Sequence, residues 1–314
     1  MIPTLNPSTI GGMPPLRDYV ALAAKNGFRG VEFSIDDAMA LSREISWDGV
    51  RTVFIENEVA PAAFELPLEW REDDVAFRRD LEGLSARACA AEELACTRAI
   101  TTLPPAVDHD RHEFLLQSVR RLHHMASLLG DHGIRLGLEW VGTASRHHGE
   151  RAEGRHPFVW NMSQALDLID DVCARDENVG LVVDSFHWHA TSGTMDNLLS
   201  LTPDQIVHVH VCDAPKKPIA QLAEHERLLP GEGQMNLWSF LEGLHHNHYQ
   251  AFVAVEACCE EPAALDREQA AARAGASLNS VLDQFHSRDA AVPGSWELAH
   301  AKKTKEESQP ARRS

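Results

Sequence analysis

No stretch of this 314-residue chain approaches the roughly 18 consecutive apolar residues of a membrane span, so no transmembrane helix is expected. Basic side chains are scarce: 29 Lys and Arg stand against 47 Asp and Glu, a formal net charge of −18. A surface of that sign repels phosphate backbones and anionic lipid, which argues against nucleic acid and membranes as partners. The six cysteines (Cys89, Cys96, Cys173, Cys212, Cys258 and Cys259) form no CxxC pair, and in a chain this long they suggest no disulfide framework. Reduced thiols in a cytoplasmic protein are the expectation. Met1–Asn6 has neither the basic segment nor the apolar run of a secretory signal. Gly11-Gly12 is not a GxGxxG turn, so a dinucleotide-binding open sheet has no support.

What is present is alternation. Short strand-like segments are expected at 2–5, 30–33, 59–64, 98–101, 135–139, 179–184, 206–211 and 251–256. Helical patterns lie between them: an apolar spacing of three and four from Leu16 to Ala24, a long run from Asp74 to Leu94, a stripe from Phe114 to Leu129, and another from Ala165 to Val172. Glycines stand where helices should stop, at Gly27 and at Gly130 with Gly133. Eight strands alternating with helices imply parallel βαβ units, most simply a single (β/α)8 barrel over residues 1–287. Two stretches stand apart. Gly142–Trp160, rich in Gly, Arg and His, is expected as a solvated loop, with a lid as the alternative. Residues 288–314 are polar and aperiodic, a flexible tail.

In such a barrel, chemistry sits at the C-terminal ends of the strands. The last four strands end on polar exceptions to apolar runs: Glu139, Asp184, His210 and Glu256. Period-two alternation turns Leu136, Leu138, Leu181, Val183, Val207, Val209, Val253 and Val255 toward the helices. Glu139, Asp184, His210 and Glu256 then face the barrel axis at one rim, with His208 one layer deeper. Three carboxylates converging without compensation are prohibitive, and one divalent cation resolves this. Three oxygens and one imidazole suit Mn2+ first, with Co2+, Mg2+ or Fe2+ as alternatives, rather than a structural zinc, which favours thiolates. His187, one turn beyond Asp184, and Arg227, before the Pro230-Gly231 turn, are candidate substrate-binding residues. Arg146, Arg151, Arg155, Lys216 and Lys217 form a local basic exception, read as solvated loop charges rather than a phosphate site.

With these marks in place the sequence resembles the sugar phosphate isomerase/epimerase superfamily with the xylose-isomerase-like TIM barrel. The resemblance rests on Gly27-Phe28-Arg29-Gly30-Val31-Glu32, Gly137-Leu138-Glu139, Asp184-Ser185-Phe186-His187, His210-Val211-Cys212-Asp213 and the Arg227 to Gly233 turn, and it extends to about Gln284. It implies that Glu139, Asp184, His210 and Glu256 bind Mn2+ or a similar metal and that His187 and Arg227 touch the substrate. The run from His210 to Arg227 is longer than in ketose 3-epimerases, and the 142–160 stretch departs from the simplest members. The implied activity is isomerisation or epimerisation of a sugar, sugar phosphate or inosose-like keto compound through an enediolate, with Glu139 and Glu256 as catalytic acid and base. The alternative is a lyase or deglycosylase-type subunit acting on an oxidised (3-keto) glycoside with a partner subunit. A DNA-repair endonuclease of the same fold is a further alternative, against which the acidic charge argues. The expected partners are a small carbohydrate and either further copies of the chain or a small partner subunit.

Overall fold

The elements follow from their patterning. Helix α1 (Leu16–Lys25) buries Leu16, Tyr19, Val20 and Ala23 along one face, and Gly27 just beyond it takes the left-handed conformation (φ +81°) that the turn into the next strand needs. The computed structural model describes residues 1–71, 73–147, 154, 156–173, 178–257 and 266–291. Around α1 lie β1 (Ile2–Leu5), β2 (Gly30–Phe33), α2 (Ile35–Glu56) and β3 (Ala60–Glu65). Then come α3 (Asp74–Glu82), α4 (Leu84–Glu93), β4 (Arg98–Thr102), β5 (Ala106–Val107) and α5 (Arg111–Gly130). The second half holds β6 (Arg135–Glu139), α6 (Ala144–His147), β7 (His156–Pro157), α7 (Met162–Val172), β8 (Val179–Asp184) and α8 (Ser185–Ala190). It closes with α9 (Met195–Leu199), β9 (Ile206–Val211), α10 (Leu237–His246), β10 (Phe252–Val255) and α11 (Arg267–Ala291).

Eight parallel strands close on themselves in the order β1-β10-β9-β8-β6-β4-β3-β2, with β2 returning to β1. This is the single (β/α)8 barrel expected from the alternation. The main core fills the space between strands and helices, where Leu136, Leu138, Leu181, Val183, Val209, Val253 and Val255 all lie. A second, small cluster of Ala63, Ile100 and Val182 plugs the barrel interior.

The structure corrects the sequence reading in several places. Val207, expected toward the helices, lies inside the barrel. The β8–β9 register slips between Leu181/Ile206 and Val182/His208, so Val207 is the extra residue of a bulge. A Cβ built on Gly137 would stand 3.3 Å from Val207 Cγ1 and 2.8 Å from Val182 Cγ2. Arg98 Nε donates to the Val207 carbonyl at 3.0 Å and Arg135 Nη1 to that of Ile206 at 3.3 Å, satisfying acceptors beside the irregularity. The run from 74 to 94 is two helices meeting at Gly83, whose N–H closes α3 on the Asp80 carbonyl at 3.2 Å. Past this break α4 buries Leu84, Ala88, Ala90 and Ala91, where α3 buries only Phe77.

The 142–160 stretch is only partly loop. His156–Pro157 pairs antiparallel with Ala106–Val107, and Phe158 and Val159 are buried, the Phe158 ring 5.0 Å from that of Phe114. Apolar surface at its end anchors it, which its Gly/Arg/His composition hides. Residues 148–153 and 155 lie outside those described, so the lid alternative falls there. Helix α11 continues through Ala291, and the rest of the expected tail, 292–314, also lies outside the described residues.

Gly137 faces this interior, so the fold makes a specific demand there. Gly137→Ala should destabilise the protein by about 1–3 kcal/mol through overpacking against Val182, Ile100 and Val207. A shift in the urea midpoint with unchanged slope would show it. A wild-type midpoint would mean that this layer has room to yield.

Candidate metal centre

The last two residues of a strand decide what its end presents to the rim. Glu139 ends β6, Asp184 ends β8, His210 is the penultimate residue of β9, and Glu256 follows β10. The ladder pairs Asp184 with His210 and His210 with Ala254, which brings the four side chains to one rim. One ligand atom from each lies within 4.8 Å of the others, with Glu256 half-buried and the rest buried.

His210 is held from both sides. Its Nδ1 is 3.0 Å from Glu139 Oε1 and 3.2 Å from Glu256 Oε2, and its Nε2 is 3.0 Å from Glu32 Oε1. Glu32 also accepts from His208 Nε2 at 2.9 Å and from Asn6 Nδ2 at 2.8 Å. Burial alone would raise the Glu32 carboxyl, but the charge of His210 and hydrogen bonds from both imidazoles hold it well below its ordinary value. Burial likewise opposes charge on His210, yet Glu32, Glu139 and Glu256 outweigh it and raise its pKa. His208 is lowered by burial, only partly offset by Glu32. It is therefore the neutral partner, donating through Nε2, while its buried Nδ1 has no partner among the described residues.

Asp184 does two jobs with its two oxygens. Oδ1 accepts the His187 backbone N–H at 2.9 Å and caps α8. Oδ2 accepts from Arg227 Nη1 at 2.7 Å. Against the cost of burial, Arg227, His187 and His210 hold Asp184 at a pKa of about 2. Glu139 has no such cation: burial and the neighbouring Glu256 outweigh His210 and raise it.

Arg227 spans the back of the cluster. Its guanidinium also reaches Glu256 Oε2 at 3.1 Å, Glu224 Oε2 at 3.1 Å and His187 Nε2 at 3.0 Å, and it lies 5.0 Å over the Phe186 ring. The loop carrying it is latched by Asp213. That residue's backbone pairs with Leu228, its Oδ1 accepts from the N–H of Ala214 and Met235, and its Oδ2 from that of Gly231. Three carboxylates (Asp184, Glu224 and Glu256) thus contact the Arg227 guanidinium, and Glu32, Glu139 and again Glu256 surround His210. The sequence reading had a metal alone compensate the acids; the structure adds Arg227 and His210 to that role.

A cavity of about 610 Å³ opens beside this cluster on the β1–β4 side. Glu139, His210 and Glu256 line it, together with Asn6, Glu32, Glu65, Arg71, Thr101 and others, whereas Asp184, His187 and Arg227 are not among its lining residues. The buried side chains of His187 and Arg227 face each other, Asp184 and Glu224.

A closed parallel barrel with three carboxylates and an imidazole at its C-terminal rim is one specific arrangement, and residues 20–281 match the family described as the xylose isomerase-like TIM barrel. The chain belongs to that family. An inosose isomerase of Bacillus velezensis is 23% identical over 281 residues, 88% of this chain and 95% of that protein. Among solved structures, a xylose isomerase domain protein from Alicyclobacillus acidocaldarius superposes with a TM-score of 0.81 at 29% identity, over 91% of this chain and 99% of that one. The IOLI protein, solved with a bound zinc atom, gives 0.75 at 22% identity over 91% and 99% of the two chains.

The four ends that the sequence marked are therefore together. Glu32, Glu224 and Asn6 were given no role. Glu32 carried a signal, an acid between Val31 and Phe33 in a buried strand; Glu224 and Asn6 carried none. The donor set fits a dication: four convergent atoms, one of them an imidazole nitrogen whose ring the Glu32 bond orients toward the carboxylates. Glu32→Gln should weaken dication binding by roughly 10–100-fold with little change in fold, because the carboxylate that His208, His210 and Asn6 share becomes a neutral amide with a single, weaker acceptor oxygen to fix the His210 ring. Competition titration against a metal-sensitive dye measures this, and wild-type affinity would remove Glu32 from the centre.

Proposed function

We propose that this chain is a divalent-metal-dependent isomerase or epimerase of a sugar-like keto compound of the inosose type. Glu139, Asp184, His210 and Glu256 would hold the ion, Mn2+ by preference from their oxygen-rich donor set. When bound, the ion supplies Lewis acidity to a substrate's carbonyl and neighbouring hydroxyl. The observation that carries this reading is that Glu139 and Glu256 both reach His210 Nδ1 and both line the cavity, while Asp184 does not line it. Two carboxylates facing one bound carbon can exchange its proton.

One of them removes the proton beside the carbonyl and the other returns a proton, which inverts that carbon; return to the neighbouring carbon shifts the carbonyl instead. Raised by burial, Glu139 is closer to the protonation range a working acid needs than an exposed glutamate. His187 and Arg227 act from behind, holding Asp184 and Glu256 in place. Likeness to an inosose isomerase over most of both chains supports the substrate type. Incubating Mn2+-loaded protein with 2-keto-myo-inositol in D2O tests the proposal: deuterium should enter at the carbon beside the carbonyl. Absence of exchange from inososes and ketoses alike would refute it.

A further inference from the structure

The cavity extends well past the four-residue centre, to a wall that the proposed chemistry does not use. The segment after β3, Leu66 to Arg71, forms it. Trp70 anchors this segment: its buried ring donates through Nε1 to Thr101 Oγ1 at 3.0 Å, and its carbonyl accepts from Arg121 at 2.6 Å. On the cavity side stand Glu65, Glu69 and Arg71. Arg71 is the only Lys or Arg among the lining residues, and its guanidinium is already engaged. Nη1 donates to both oxygens of Glu69 at 3.1 and 3.2 Å, Nη2 to the Thr102 carbonyl at 2.8 Å, and the group lies 5.3 Å from the Trp70 ring. Glu65 is the reverse case: its backbone pairs with β4, but its carboxylate makes no hydrogen bond to any described residue and lines the cavity as an open acceptor.

We infer, given the isomerase reading of this cavity, that this segment is a selectivity wall in which Glu65 binds neutral hydroxyls at the far end of the substrate and the Glu69–Arg71 pair denies phosphate and carboxylate groups a cation there. A carboxylate with free lone pairs accepts hydroxyl protons well. An incoming anion meets Glu32, Glu65, Glu69 and Asp80 across the cavity, and the one guanidinium that would receive it is neutralised by Glu69. Of the outer-loop basic residues, those that are described do not line the cavity. Arg146, Lys216 and Lys217 are not among the lining residues, Lys217 pairs with Glu226, and Arg151 and Arg155 lie outside the described residues.

Calorimetric titration of the Mn2+-loaded protein tests the wall independently of turnover, with two matched pairs: 2-keto-myo-inositol and a monophosphate ester of it, and D-fructose and D-fructose 6-phosphate. At least one parent should bind, and its phosphate at least tenfold more weakly. Glu65→Gln should weaken the parent about tenfold. Glu69→Gln, which frees Arg71, should tighten the phosphate about tenfold and leave the parent within threefold; a merely structural loss would weaken both alike. A phosphate that binds as tightly as its parent, no heat from either parent, or equal losses in both variants would overturn the inference. If anions bind better and still exchange deuterium, the wall is wrong and the isomerase stands. If neutral ligands bind without exchange, the wall stands and the isomerase falls.

Discussion

Glu256→Gln and Glu139→Gln are each expected to lower net interconversion of substrate epimers by 10²–10⁴-fold, while each retains proton exchange from one epimer only. The asymmetry follows from the division of labour between two carboxylates on one cavity. If one takes the proton from one face and the other serves the opposite face, removing either blocks the full cycle but leaves the surviving group free to exchange with solvent. Deuterium wash-in from each epimer separately, followed by NMR, distinguishes this from simple loss of the ion, which would silence both directions in both variants. Metal content after dialysis provides the control, since both residues belong to the donor set. The metal-free Glu139→Gln protein should unfold no earlier than wild type. Burial and Glu256 raise the Glu139 pKa, so its ionised form costs stability at neutral pH, and an amide oxygen can still accept from His210. Exchange surviving equally from both epimers in both variants would remove the two glutamates from proton transfer.

The barrel and its rim were legible for a shared reason. A parallel strand buried on both faces reads as an apolar run, so a Glu, Asp or His at its end stands out against Leu136, Leu138, Val182, Val183, Val209 and Val255. Spacing alone then places four such exceptions on one rim. What that reasoning missed depends on distance along the chain. Glu32 meets His208 and His210 across 176 and 178 residues, and nothing local in a four-residue strand announces those partners. Val207 was assigned to the wrong face because strict alternation assumes an unbroken register, and a bulge costs one residue without leaving a Gly or Pro to mark it. Glu224 sits in an irregular segment, and its value comes from Arg227, His187 and Thr143, which reach it from three places. The wall from Glu65 to Arg71 is likewise a loop property: Trp70 looks like any apolar residue until its indole finds Thr101.

Adding Mn2+ to the metal-free protein is expected to raise its melting temperature by roughly 4 °C at about a hundredfold excess over Kd, and the gain should grow from pH 6 to pH 8. The size comes from linkage: such an excess stabilises by about 2.7 kcal/mol, and at about 2.1 cal/mol/K of unfolding entropy per residue each kcal/mol moves a chain of 314 residues by roughly 1.5 °C. The direction with pH comes from His210. Its folded-state pKa is raised, so the stability its proton contributes is fully present below the unfolded value near 6.5 and is lost as pH rises through the higher folded value. An ion that takes Nδ1 must displace that proton, and the displacement becomes easier as pH rises. Asp184 adds nothing in this window, because its depressed pKa of about 2 makes it a carboxylate throughout; its contribution is present above the ordinary value and lost only as pH falls toward 2. The metal-free protein should therefore weaken toward pH 8 as the ion-bound protein gains on it. Asp184→Asn should abolish most of the Mn2+ effect without reversing its pH trend. A stabilisation independent of pH would mean that the ion does not engage His210, and no stabilisation at all would leave Arg227 and His210 as the cluster's only cations.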